Sequence, residues 1–364
     1  DLTLDAPTAM WGLRWDSTSA QTINLGQNDL TIGSGSMIIN GNSDKVITSE
    51  GGKLVFAGED IIFDTEGTGK FEIAAPITWQ KPSGSAMTCP SLVFSRGRRT
   101  GNVTLSGQDD VAEYGSLYAY CYNGAQRTLF LGGSGDRTFN GPIGGYFHLE
   151  KQGTGTLTLK GQNDRRGGGF YVNEGKVIIA HNNAPNPIVQ TNGICEFAEG
   201  VVFVGGTTTV TSNGLLRGLG TTGGVSLQPG ARIAPGTDSQ IGTLTFGTHS
   251  TLPSNMQLYT RLGLNTNDML KITGNLTLPA TGEPMTVSVS DVSGGTESVK
   301  DKSYIVGFWT GNNPSTTPVW TVTTTTPSAL DVSEATVTVT GGSTRRIILS
   351  GLKPAKRGTL IKVQ

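Results

Sequence analysis

Apolar residues along the chain alternate with small polar ones in short runs, and most runs end at glycine, asparagine or aspartate. Leu30-Thr31-Ile32, Lys53-Leu54-Val55-Phe56, Asn102-Val103-Thr104-Leu105 and Thr156-Leu157-Thr158-Leu159 are typical, followed by Lys176-Val177-Ile178-Ile179, Thr243-Leu244-Thr245-Phe246 and Asn275-Leu276-Thr277-Leu278. Period-2 alternation rich in threonine and β-branched residues predicts strands, and the glycines between them predict corners. Helical periodicity is nearly absent. Runs this short, separated by one or two turn residues, fit the faces of a solenoid coil better than the longer strands of a sandwich. One turn motif recurs as Gly26-Gln27-Asn28-Asp29, Gly107-Gln108-Asp109-Asp110 and Gly161-Gln162-Asn163-Asp164, 81 and then 54 residues apart, both multiples of 27. A coil of 20–30 residues is what a repeating solenoid needs.

The prediction is therefore an all-β protein, a right-handed β-helix (β-solenoid) with a β-rich C-terminal cap. The hexapeptide repetition of the left-handed version is missing. The expected organisation is an N-terminal cap or exchange segment over 1–20, the β-helix over 21–300, and a C-terminal β cap with a basic tail over 301–364. Stacked coils place like residues in ladders, where threonine, asparagine and valine pack well and like charges pile up unfavourably.

Composition agrees and removes other classes. Glycine supplies 53 of 364 residues, about twice the ordinary share near 7%, and charged residues only 15%. A net charge of −1 argues against a nucleic-acid partner held by bulk positive charge, and no apolar run is long enough for a transmembrane segment. The chain opens at Asp1 without methionine, which predicts a secreted protein whose signal peptide has been removed. Cys89, Cys121 and Cys195 are too few for a disulfide scaffold; buried thiols are favoured, with pairing of Cys89 and Cys121 left open.

Candidate chemistry is sparse. Gly218-Leu219-Gly220-Thr221-Thr222-Gly223 matches a dinucleotide fingerprint by letter, but Val225-Ser226-Leu227 after it is a strand where that fingerprint needs a helix. Gly132-Gly133-Ser134-Gly135-Asp136 occurs once, whereas calcium-binding turns work in stacked copies. Neighbours on a strand face opposite ways, so Glu59 and Asp60 do not form an acid–base pair, and Asp109 and Asp110 belong to the turn motif. His148, His181 and His249 have no metal-ligand or triad spacing. The expectation is no enzyme, no catalytic residues, no metal and no cofactor.

A more specific signal lies between 150 and 310. Lys151-Gln152-Gly153-Thr154-Gly155-Thr156-Leu157-Thr158-Leu159-Lys160-Gly161, running on to Gly167-Gly168-Gly169-Phe170-Tyr171-Val172-Asn173-Glu174-Gly175-Lys176-Val177, resembles the autotransporter-associated β-strand repeat. Leu216-Arg217-Gly218-Leu219-Gly220, Gly230-Ala231-Arg232-Ile233-Ala234-Pro235-Gly236-Thr237, Ile241-Gly242-Thr243-Leu244 and Asn267-Asp268-Met269-Leu270-Lys271-Ile272-Thr273-Gly274 extend the resemblance in order, and Ser303-Tyr304-Ile305-Val306 is similar to the strand that follows. The first 150 residues resemble it only loosely. The resemblance implies a β-helical passenger at a bacterial cell surface. It does not select among adhesins, secreted enzymes and other surface proteins.

Charge is distributed unevenly. Residues 1–66 carry ten acids against Arg14, Lys45 and Lys53, a balance of −7, and residues 341–364 carry six bases and no acid. This predicts an extracellular structural subunit that assembles head-to-tail into a fibre or surface layer, with Asp1, Asp5 and Asp16 meeting Arg345, Arg346, Lys353, Lys356, Arg357 and Lys362 of the next copy. The alternatives are a glycan-binding adhesin, with Tyr118, Tyr120 and Tyr122 stacking on sugars, and a polysaccharide lyase or hydrolase on the same scaffold.

Overall fold

The computed structural model describes residues 1–94, 102–108, 110–111, 113–119, 127–204, 206–292, 299, 302–343 and 345–355. Among these there is no helix; short strands stack almost entirely in parallel as a β-helix. Two compact units divide the chain, Asp1–Ile188 with Asn192–Cys195, and Val189–Thr191 with Glu196–Gln364.

In the first unit three faces repeat. One ladder runs through Leu2–Thr3, Gln21–Asn24, Lys45–Thr48, Phe71–Ile73, Val103–Leu105 and Arg127–Leu131. A second runs through Thr8–Met10, Leu30–Ile32, Leu54–Phe56 and Ile77–Trp79. A third runs through Leu13–Asp16, Ser36–Asn40, Ile61–Glu66, Leu92–Phe94 and Leu117–Ala119. The alternation seen in the sequence sorts the side chains: Ile23, Ile47, Ile73, Leu105 and Leu131 stack inside on successive rungs. Phe63 lies over Phe94 in register, with ring centroids 5.4 Å apart, and meets Phe56 edge-on and Phe71 at a tilt.

Coil length is not constant. The row Ile23, Ile47, Ile73, Leu105, Leu131 advances by 24, 26, 32 and 26 residues. Gly26 and Gly107 therefore sit at the same corner three coils apart, whereas Gly161 follows Thr156–Leu159 on a different face. Three coils span 82 residues from Ile23 to Leu105, so the 81-residue offset falls one residue short of whole coils, and the 54-residue offset leads to another face.

Corner chemistry joins coil to coil. Asp1, Asp29, Asp44, Asp60 and Asp136 each accept, through Oδ1, the backbone N–H of the following coil, at Thr22, Lys53, Lys70, Ser91 and Thr156, over 2.6–3.0 Å. Each of these aspartates thus satisfies a backbone donor of the neighbouring coil rather than one of its own turn. The acid excess of the N-terminal region is in good part an acceptor set for its own backbone.

Buried cations close other corners. Lys45, wholly buried, donates from Nζ to the carbonyls of Ser17 and Ser19 and to Ser43 Oγ, with its ammonium over the Trp15 ring. Lys151 donates to the carbonyls of Gln152 and Gly153 at 2.6 Å and of Glu174 at 3.3 Å. Arg137 donates to the carbonyls of Gly132 and Gly107. Gly133, Gly153 and Gly175 stack at this corner with φ of 82°, 68° and 71°, and a Cβ on Gly175 would lie 2.3 Å from the Gly153 carbonyl oxygen. Only glycine allows both that φ and that approach.

Burial, and then the charge of Arg137, lower the Lys151 pKa from 10.5 to about 8, partly offset by Glu174 and Asp136. Above pH 8 the folded protein releases this proton before the unfolded chain does, so stability is expected to rise from pH 8 to 10.5. Below pH 8 the cost of the buried charge is fully present. Urea unfolding across that range should show this increment in the native protein and not in Lys151→Met; equal slopes would contradict it.

The second unit repeats the scheme. One ladder runs through Leu215–Gly218, Arg232–Pro235, Gln257–Leu262, Pro284–Asp291 and Val319–Thr324. Another runs through Thr221–Thr222, Thr243–Phe246, Met269–Ile272 and Tyr304–Trp309. Arg346–Ser350 then lies antiparallel between Tyr304–Trp309 and Thr336–Thr340, which turns the parallel stack into an antiparallel sheet.

Candidate functional site

Of the six described residues nominated for assembly, Asp1, Asp16, Arg345 and Lys353 have partners within the chain. Asp1 holds Thr22 N, and Asp16 accepts from Arg14 Nε at 2.5 Å and Asn40 Nδ2 at 2.6 Å. The Asn40 amide first, and Arg14 second, hold the Asp16 carboxyl below its usual range. Asp5 is exposed. At the other end Arg345 donates to the Thr310 carbonyl at 2.8 Å, Lys353 pairs with Glu334, and Arg346 is exposed. Lys356, Arg357 and Lys362 lie outside the described residues, as do Tyr120, Tyr122 and Cys121. Tyr118 points outward between the buried Leu117 and Ala119, against Gly144 of the next coil; a Cβ on Gly144 would come within 2.3 Å of its ring.

What stands open is the first rung. Leu2–Thr3, Thr8–Met10 and Leu13–Asp16 each pair, among the described residues, on one edge only. Leu2 is 55% exposed and Trp11 80%. In the second unit Val319–Thr324 likewise pairs only with Pro284–Asp291 among the described residues, and exposed and half-buried residues alternate along it. Unpaired parallel edges with exposed apolar residues are templates for another strand.

Two of the carboxylates considered for catalysis, Asp60 and Asp110, make contacts within the scaffold. Glu59 is exposed and Asp60 holds Ser91 N. Asp110 pairs with Lys53 at 2.6 Å, and that ammonium holds its carboxyl below the usual range; Asp109 lies outside the described residues. His148 Nδ1 accepts from Gly169 N and His181 Nδ1 from Asn183 N. Among the described residues no three His, Cys, Asp or Glu side chains gather as a metal site would require.

A cluster the sequence did not reveal lies in the second unit. Asp268, 2% exposed, accepts from Gly242 N at 2.9 Å, Arg261 N at 3.1 Å, Arg261 Nε at 2.7 Å and Arg261 Nη2 at 3.1 Å. Arg261 also donates to the carbonyls of Asp238 and Gln240. Gly236 leaves room for this pair: its φ is 86°, and a Cβ there would lie 2.2 Å from Arg261 Nη2. Arg217, 8% exposed, sits between Glu196 at 2.9 Å and Asp238 at 2.5 Å. The outward side chains of the ladder enclose a cleft of about 320 Å³ lined by Arg217, Arg232, Tyr259, Arg261, Ser288 and Ser290. The signal available in the sequence was the Pro235-Gly236 turn and the place of Asp268 within the ordered motifs; their meeting needed the register.

No family model matches the chain, and no curated protein is significantly similar to it.

Proposed function

We propose that this is an extracellular structural protein of a bacterial cell surface, a β-solenoid subunit that joins to further copies through its strand edges. The observation that carries this is the open first rung, with three strands paired on one edge only among the described residues and the exposed Leu2 and Trp11 beside them. Val319–Thr324 offers a complementary parallel edge six residues long. A contact between two different surfaces of this kind is heterologous and propagates unless the rotation closes. The surface location draws on the resemblance of residues 151–310 to passenger repeats. The driving force is main-chain pairing and apolar burial. The engaged state of Asp1, Asp16, Arg345 and Lys353 leaves charge a secondary part.

Light scattering over a concentration series in low salt is the test. The native protein is expected to associate as concentration rises, with filaments in negative stain. Placing charges on the open rung with the double variant Leu2→Lys, Trp11→Glu is expected to abolish this while leaving the circular dichroism unchanged. A native protein that stays monomeric at high concentration overturns the proposal.

A further inference from the structure

The arginine cleft of the second unit goes beyond assembly. We propose that it binds an acidic saccharide, taking the carboxylate of a uronic acid unit on the guanidinium groups of Arg217 and Arg232 and the sugar ring against Tyr259. Three observations carry this. First, donors are left over inside the cleft. Arg217 Nη2 and Arg232 Nε are buried without a hydrogen-bond partner among the described residues, while Arg217 Nε and Nη1 face Glu196 and Asp238. The Arg232 side chain has no ion pair there either, whereas Arg261 is fully occupied by Asp268 and two carbonyls. Buried donors without acceptors are costly unless something supplies the acceptors.

Second, the two guanidinium groups with a donor to spare line the same cleft. Register places Leu215 beside Arg232 and Arg217 beside Ala234, so Arg217 and Arg232 are diagonal neighbours on adjacent strands, with the small Ala234 opposite Arg217. Long side chains reach across such a diagonal, and planar guanidinium forks match a carboxylate.

Third, the rest of the lining suits a sugar. The next rungs pair Tyr259 with Ser288 and Arg261 with Ser290. Tyr259 donates its hydroxyl to Gln257 Oε1 at 2.7 Å, which fixes the ring, and Ser288, Ser290 and Thr325 present hydroxyl groups to the same cleft. An aromatic face beside hydroxyls binds a ring that is apolar on one side and polar at its edge. Glu196, Asp238 and Asp268 orient Arg217 and Arg261 and offset their charge, so a small free anion gains little here. Selectivity must come from carboxylate and sugar together.

The test is calorimetric titration of the full chain with trisaccharides of galacturonate, mannuronate, guluronate and glucuronate, alongside neutral galactotriose and inorganic sulfate. At least one uronate trisaccharide is expected to bind, with galactotriose and sulfate each weaker by about tenfold or more, the scale of one charge-assisted contact. Arg232→Gln, which breaks no side-chain bond among the described residues, and Tyr259→Ala should each weaken binding by a similar factor with circular dichroism unchanged. The proposal is overturned if no uronate trisaccharide binds, if sulfate or galactotriose binds as tightly, or if Arg232→Gln binds as the native protein does.

Discussion

Asp268→Ala is expected to lower the stability of the second unit by about 3–5 kcal/mol, the cost of removing one partner from a buried ion pair. The aspartate answers two backbone N–H groups and two guanidinium nitrogens, so alanine orphans Gly242 N and Arg261 N together and leaves the Arg261 charge half-buried with only carbonyls. Asp268→Asn keeps one carbonyl oxygen and should lose less. Hydrogen exchange under rising urea, followed on Thr243–Phe246 and Met269–Ile272, localises the effect to the strands on either side. A loss below about 1 kcal/mol would mean that the pair behaves as an exposed one and that burial is not what holds it.

Phe63→Ala is expected to cost the first unit about 3–5 kcal/mol, with Phe63→Leu well below that. The ring is fully buried and touches aromatic rings from all three faces of the coil: Phe94 above it on its own ladder, Phe56 from the second and Phe71 from the first. Alanine removes the one side chain that joins them and leaves a cavity that close-packed neighbours on fixed rungs cannot fill. Chemical unfolding measures the loss, and exchange of Phe71–Ile73 and Leu92–Phe94 locates it. Equal losses for alanine and leucine would contradict this, since they would show that refilling the volume restores nothing.

The scaffold was legible in the sequence because its rule is local. Alternation in Val103–Leu105 or Thr243–Phe246 assigns inside and outside residue by residue, and glycine marks the corners. Asp29 of the turn motif was recognisable as a corner residue, but its reach to Lys53 in the following coil was not, and Asp60, outside that motif, meets Ser91 at a different separation. The same irregularity hid the cleft. Leu216, Ile233, Leu258, Val287 and Val322 occupy one row at intervals of 17, 25, 29 and 35 residues, so no fixed period brings Arg217, Arg232 and Tyr259 together. The tail bases Arg345 and Lys353 read as a free charged patch because a sequence does not show that Thr310 and Glu334 stand beside them.

Those unequal intervals have a practical meaning. A rung is fastened to its neighbours by main-chain bonds and by an aspartate or glycine at the bend, and neither depends on how much chain travels between bends. The stretch from Ile73 to Leu105 already carries 32 residues where its predecessor carries 26, with the stacking row unbroken. Foreign peptides spliced between Trp79 and Leu92 should therefore be displayed on the outside without disturbing the ladders, which makes this bend the natural place to graft a tag or an epitope.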